Sequence, residues 1–297
     1  MTIQSFEIRH VGAFDLRSYS SAAGGALMMH VPSASVDGLN LAFLADDFEN
    51  AVAVRVYQLD GMVHGELCAG DADIDLVRGQ VARMLALDCD ATDFDLLAGR
   101  ESIVSMLQRR YPGLRHYAFS SPYESAVRFV IGQRMQMRQA AVIRQRLSEV
   151  HGGRVTAGNT SICVVPTPLK LLSIQEFEGL NQAKVKALHA VARAALDGAL
   201  DAQWLRALPH EFALQQLQTI HGIGPFSAEG ILIRGVVSQD ALPGTESRLR
   251  RAVACAYGLA NEPDDRELIA IAEHWRPYRG WVSYQLRRWQ EEESHGR

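Results

Sequence analysis

The sequence predicts an α+β protein in which an antiparallel sheet with helices occupies residues 1–113 and an all-α part occupies residues 114–297. Two observations predict that order. Residues 40–44, 51–59 and 62–68 are short β-rich runs, and Asp60-Gly61 between the last two suits a two-residue hairpin turn. Beyond residue 113, apolar side chains recur at helical spacing, most clearly on both sides of Gly222-Ile223-Gly224.

At 297 residues and 47% hydrophobic, the chain can bury substantial cores, and its length suits two or three domains. No run of 18 apolar residues and no charged-then-apolar leader occurs, so a soluble, cytoplasmic protein with no membrane contact is expected. Cys68, Cys89, Cys163 and Cys255 lack zinc-site spacing and iron–sulfur clustering. They are expected to be core thiols, with no iron–sulfur cluster and no required cofactor.

A net charge of −4 argues against a general nucleic-acid binder, but the charge is uneven. Residues 1–113 carry 8 Arg/Lys against 16 Asp/Glu, whereas residues 114–297 carry 22 against 18. The positive potential belongs to the later part, and phosphate contact needs a local patch, not a basic chain.

In order, residues 77–85 read as a helix, and the charge run 88–95 as the solvated start of another. Ser121-Pro122-Tyr123-Glu124 is a helix N-terminal signal, with Ser at the cap, Pro at the first position and Glu at the third. The run it opens has Ala126, Phe129 and Val130 on one apolar face. Residues 133–138 interrupt it, and 139–150 resume with Arg138, Arg144 and Arg146 outward. Val165-Pro166-Thr167-Pro168 is a rigid connector that starts a short helix. Residues 181–196 form an amphipathic helix with Lys184, Lys186 and Arg193 toward solvent; phosphate contact is an alternative for the lysines. A last helix, 281–289, has Leu286 inward and Arg287 and Arg288 outward, before a polar tail from Gln290 that is expected to fray.

The glycines of Gly222-Ile223-Gly224 divide Phe212, Leu214, Leu217 and Ile220 from Phe226, Ile231, Leu232 and Ile233. A Gly-x-Gly turn can adopt φ > 0 and brings bare amides close to a ligand. Pro225 and Ser227 suit the first turn of the second helix, whose amides and dipole favour an anion such as phosphate. The alternative is a plain turn between packed helices. Past the second helix, Asp240-Ala241-Leu242-Pro243-Gly244-Thr245-Glu246 delivers a carboxylate where another helix begins.

Hairpin, Gly/Pro loop and loop carboxylate together resemble the helix-hairpin-helix DNA glycosylases, and residues 121–147 and 273–279 are similar to the 3-methyladenine DNA glycosylase II group. The resemblance is strong over residues 114–289. It implies an N-terminal α+β scaffold domain (1–113) and a helical glycosylase module (114–297) with hairpin 220–227 and catalytic loop 240–247. The activity implied is hydrolytic excision of an alkylated (3-methyladenine-type) or otherwise damaged base from duplex DNA, by a monomer. The alternative is a catalytically silent or weakened protein that binds damaged or unusual DNA.

The resemblance also implies roles. Cleaving an N-glycosidic bond builds positive charge on the sugar, which a carboxylate at C1′ stabilises; Glu246 matches that position, departing from the usual Asp. Its alternative is a helix N-terminal carboxylate ion-paired with Arg248, Arg250 or Arg251, and Asp240 more simply fixes the loop. The pocket walls match Phe226 and Trp275, and Gly230 stands where another pocket aromatic is familiar, so a wider cavity is expected. Gln133 or Arg134 matches the side chain inserted into the base stack. The amides of Gly222, Gly224 and Phe226 match the phosphate clamp, with Ser227 and Arg248 among the DNA contacts. Bifunctional relatives place a lysine directly after the hairpin; Phe226 there implies no lyase activity. A monovalent or hard cation on the carbonyls of Ile220, Gly222 and Ile223 completes the expectation.

Overall fold

The computed structural model describes residues 4–20, 34–35, 38–157 and 160–295. Its sheet contains β1 (Gln4–Ile8), β2 (Ala34–Ser35), β3 (Gly38–Leu44), β4 (Ala51–Leu59) and β5 (Met62–Ala69) in the order β1-β5-β4-β3-β2, antiparallel throughout. Asp60 and Gly61 both take positive φ, 51° and 76°, as the two-residue turn between β4 and β5 requires.

The helices of the first part are α1 (Arg17–Ser20), α2 (Ile74–Met84), α3 (Thr92–Ala98) and α4 (Ser102–Arg110). Then come α5 (Pro122–Gly132) and α6 (Met137–His151), the hairpin β6 (Arg154–Ala157) with β7 (Thr160–Cys163), and α7 (Pro168–Leu172), α8 (Gln182–Leu196), α9 (Ala202–Ala207), α10 (His210–Gln218) and α11 (Pro225–Ile231). A π turn, Leu232–Val236, extends α11, and α12 (Ser247–Tyr257), α13 (Asp265–Glu273) and α14 (Arg279–His295) close the chain.

The alternation of β3 and β4 splits their side chains between two cores. Leu41, Phe43, Val52 and Val54 face one core, with Val77, Val81 and Leu107 of the first part and Leu249, Val253, Trp275, Trp281 and Leu286 of the last helices. Ala42, Leu44 and Ala53 face the other, with Tyr123, Val127 and Val130 of α5, Leu188 and Val191 of α8, and Ile231. The cores therefore do not divide at residue 113, because α12 to α14 return to the sheet. Arg115, buried just past that position, helps bind the segments by donating to the carbonyls of Gly12, Ala13, Ala86 and Cys89 at 2.9–3.2 Å.

Local signals act as expected at several helix starts. Ser121 Oγ accepts from Glu124 N at 3.1 Å, Thr167 Oγ1 from Lys170 N at 3.2 Å and Asn181 Oδ1 from Lys184 N at 2.9 Å. Three expectations need correction. The later part is not all-α, since β6 and β7 pair within it. Cys68 and Cys255 are exposed, not core thiols. The tail from Gln290 continues as helix to His295, braced by ion pairs Arg287–Glu291 and Arg288–Glu292 along α14.

Candidate active site and DNA interface

The hairpin between α10 and α11 is set by close packing. Leu217, Ile220 and Ile223 are buried, and Ile223 N donates to Ile220 O at 2.9 Å. Gly222 has φ +90°, and a Cβ there would overlap Ala187 Cβ of α8. Gly224 caps α11 in an extended conformation, with open space where its Cβ would point. Among the described residues, the amides of Gly222, Gly224 and Phe226 have no acceptor. This leaves donors at the face of the hairpin that Gly224 keeps bare.

The C terminus of α5 docks on this turn. Gln133 Nε2 donates to Gly222 O at 2.6 Å and lies 3.5 Å from the buried Ser227 Oγ. Gln133 is thus a strut and not an insertion tip, which corrects its expected role. Arg134, next in the chain, is exposed at φ +51°, a conformation unfavourable to an L side chain. Lys184 Nζ donates to Ile131 O at 2.6 Å, the carbonyl end of α5, so it braces the fold instead of facing solvent. The bonds to Ile220 O and Gly222 O engage two of the three carbonyls expected to hold a cation, although each retains a second lone pair. Among the described residues, no group of three or more His, Cys, Asp or Glu could hold a metal.

The loop after the π turn is anchored at Asp240, whose carboxylate accepts from Arg279 Nε at 2.9 Å and Nη2 at 3.0 Å, and from Arg276. Asp240 therefore fixes the loop, as its position suggested. Glu246 caps α12 without a side-chain capping bond; its Oε2 accepts from Arg287 Nη1 at 2.9 Å, with the two side chains 20% and 16% exposed. The nearby arginines go elsewhere. Arg248 lies 2.9 Å from Met137 Sδ and 3.8 Å from Glu291, Arg250 binds Asp265 and Gly244 O, and Arg251 binds Glu262. The partner of Glu246 comes instead from α14, where Arg287 had been expected to point outward.

A second carboxylate meets this loop. Glu229, one turn after Phe226 on α11, accepts from Gly244 N at 3.2 Å, from Thr245 N at 3.3 Å and from the Thr245 hydroxyl. The only sequence signal for it is the three-residue spacing from Phe226, which puts both on one helix face.

The aromatic expectations divide. Phe226 is 54% exposed and meets Phe129 of α5 edge-to-face, with centroids 5.8 Å apart. A Cβ on Gly230 would overlap that same Phe129 ring, so the space freed by glycine is filled from α5 and not left as a wider cavity. Trp275 is 0% exposed, packed in the first core, with Nε1 donating to the Tyr257 hydroxyl at 2.9 Å. It is a core residue and no pocket wall. A cavity of about 500 Å³ lies between α5, α6 and the β6–β7 hairpin, lined by Arg128, Arg144 and Arg154 among others, but no residue of the hairpin or the loop lines it.

Arg128, Phe119, Arg234 and Tyr284 form a cluster of cations and rings. The guanidiniums of Arg128 and Arg234 lie 4.4 Å and 4.7 Å from the centre of the Phe119 ring, and Arg234 lies 5.8 Å from that of Tyr284. Burial pushes Arg234 down to about 10. Burial first, then Arg234 and Arg287, hold the imidazole of His116 well below its ordinary value.

Comparison with known proteins agrees with this geometry. The chain is 26% identical over 209 residues to DNA-3-methyladenine glycosylase 2 of Escherichia coli, covering 68% of each. It is 23% identical over 208 residues to DNA-3-methyladenine glycosylase of Bacillus subtilis, covering 67% of each. The solved structure of 3-methyladenine DNA-glycosylase from Archaeoglobus fulgidus superimposes with a TM-score of 0.75 at 19% identity, over 95% of this chain and 96% of that one. The chain thus shares the fold of a 3-methyladenine DNA-glycosylase and is similar in sequence to proteins of that name. No family model matches it. The shared fold accounts for the mixed architecture of a small antiparallel sheet and many helices around the hairpin.

Proposed function

We propose that the chain is a DNA glycosylase that hydrolyses the N-glycosidic bond of alkylated or otherwise damaged bases in duplex DNA. The observation that carries this is the junction of α11 with the loop: unpaired hairpin amides, an exposed Phe226 and carboxylates at Glu229 and Glu246 are brought together by contacts across three segments. The amides suit a DNA phosphate, with Gly224 leaving room for it to approach. Arg134 suits the gap left when a base flips out, and Phe226 with Phe129 offers π faces to a cationic alkylated purine. The named activity of the sequence relatives, on 3-methyladenine, supports the same substrate class.

Release occurs by hydrolysis alone in this proposal. A lyase step needs an amine to attack C1′, but the chain's lysines are Lys170, Lys184 and Lys186, and Phe226 follows the hairpin. A monovalent cation on the hairpin carbonyls is proposed as an aid to phosphate binding, with no cofactor required. The protein is proposed to act as a monomer in the cytoplasm; among the described residues, no helix is long and apolar enough to cross a membrane.

The test is incubation with methylated duplex DNA, followed by alkali. Alkali-labile sites without prior nicks are expected. Salt-sensitive binding to damaged duplex with no labile sites across a wider lesion panel would instead identify a binding protein.

A further inference from the structure

We propose that Arg287 is a positioning residue, which aims the Glu246 carboxylate at C1′; this rests on the glycosylase reading and on Glu246 as its carboxylate. Glutamate at the end of the loop has one methylene and one rotatable bond more than an aspartate would, so its charged end needs holding. The start of the helix does not hold it, because Glu246 caps α12 with no side-chain capping bond. Its direction comes from Arg287 Nη1, which donates to Oε2 at 2.9 Å. Among the described residues, Oε1 has no donor, so one oxygen is held and the other keeps its lone pairs for the sugar and the attacking water.

The arginine is itself held in place. Arg279 and Arg287 stand about two turns apart on α14, roughly 12 Å along its axis. Arg279 binds Asp240 at the start of the loop and Arg287 binds Glu246 at its end, so one helix grips the loop at both ends. Between them, α14 is fixed by fully buried Leu286 and by Gln285 Nε2, which donates to Leu114 O at 2.6 Å. The Arg287 side chain is 16% exposed, and its Nη2 lies 3.9 Å from Glu291.

A planar guanidinium fixed in this way imposes one geometry on its partner, and a misplacement of about 1 Å can cost ~10²-fold in rate. The C1′–N bond breaks with its electron pair leaving on the base, which for a cationic alkylated purine departs neutral. A water oxygen forms the new C1′–O bond, and Glu246, having stabilised the cationic sugar, takes the water proton. Arg287 acts in this step only through the carboxylate.

The experiment measures single-turnover excision from methylated duplex by the full chain at saturating enzyme, beside DNA affinity, with urea midpoints to establish that each variant is folded. Arg287→Met is expected to lose at least ~10-fold in rate and less than ~3-fold in affinity. Glu246→Asp keeps the charge but draws it back from Arg287 by about 1.5 Å, and is expected to lose at least ~10-fold in rate as well. Glu246→Gln should lose ~10²-fold or more, and adding Arg287→Met to it should cost less than ~3-fold further, because no carboxylate remains to be aimed. A tie that only fastens α12 to α14 would instead lower the rate by the same factor with or without the carboxylate, and that result overturns the proposal. So does a Glu246→Asp variant as fast as wild type.

A second readout needs no turnover. Wild type is expected to bind a duplex carrying a protonated pyrrolidine in place of the target sugar about 10-fold more tightly than one carrying a neutral tetrahydrofuran. Arg287→Lys and Glu246→Asp, each of unchanged charge, should reduce that preference below ~3-fold. A preference absent from wild type, or kept in full by either variant, overturns the proposal. A wild type that releases no base, yet shows the preference and its loss in both variants, refutes the glycosylase reading and leaves the role of Arg287 standing.

Discussion

Replacing Gly222 with alanine tests the packing that shapes the hairpin. At φ +90° an L side chain costs roughly 1–2 kcal/mol. Its Cβ would overlap Ala187 Cβ and come within 3.3 Å of Ala187 Cα, an overpacking that typically costs about 1–3 kcal/mol. The lower entropy of the unfolded alanine chain returns about 0.4–1 kcal/mol. The net loss expected is about 2–4 kcal/mol, read from urea midpoints at unchanged slope. Ala187→Gly in the same chain should recover the overlap but not the φ cost, giving a coupling of at least ~1 kcal/mol in the double-mutant cycle. A Gly222→Ala loss under ~0.5 kcal/mol, or no coupling to position 187, would refute the packing argument.

Other outcomes follow from single contacts. His116 is held neutral in the fold, its imidazole well below the ordinary 6.5 through burial and then Arg234 and Arg287, so its contribution is complete above pH 6.5 and is lost as pH falls below it. Urea midpoints from pH 7.5 to 5 should fall in the wild type and fall less in His116→Leu. Lys184→Met should lose about 1 kcal/mol of stability, because its ammonium caps Ile131 O, while the salt dependence of DNA binding stays as in the wild type. Arg134→Ala should stay within ~0.5 kcal/mol of wild-type stability, since the side chain is exposed, yet bind an abasic duplex about 10-fold more weakly by anisotropy.

Local chemistry made much of the fold legible. Asp60-Gly61 marks its hairpin because both residues tolerate positive φ, and Ser121, Thr167 and Asn181 mark helix starts because their side chains accept the first free amides. The β6–β7 hairpin escaped because four-residue strands carry little periodicity; Gly158-Asn159 in the sequence was the turn signal available. At the site, the hairpin and Asp240 were legible from glycine, proline and spacing. The aim of a side chain was not. Trp275 turns into the first core, Phe129 fills the place beside Gly230, and Arg287 reaches back 41 residues to Glu246, each decided by how distant helices pack. Glu229 was not singled out in the sequence, because its contacts come from a loop that docks on it from fifteen residues further along the chain.

Base release is tested most directly by counting free bases and abasic sites from methylated duplex DNA in the same reaction. Methylated purines are expected to appear in step with abasic sites, with strands intact until alkali is added. Methylated duplex that is bound but yields neither product, across alkylated and other lesions alike, would contradict it.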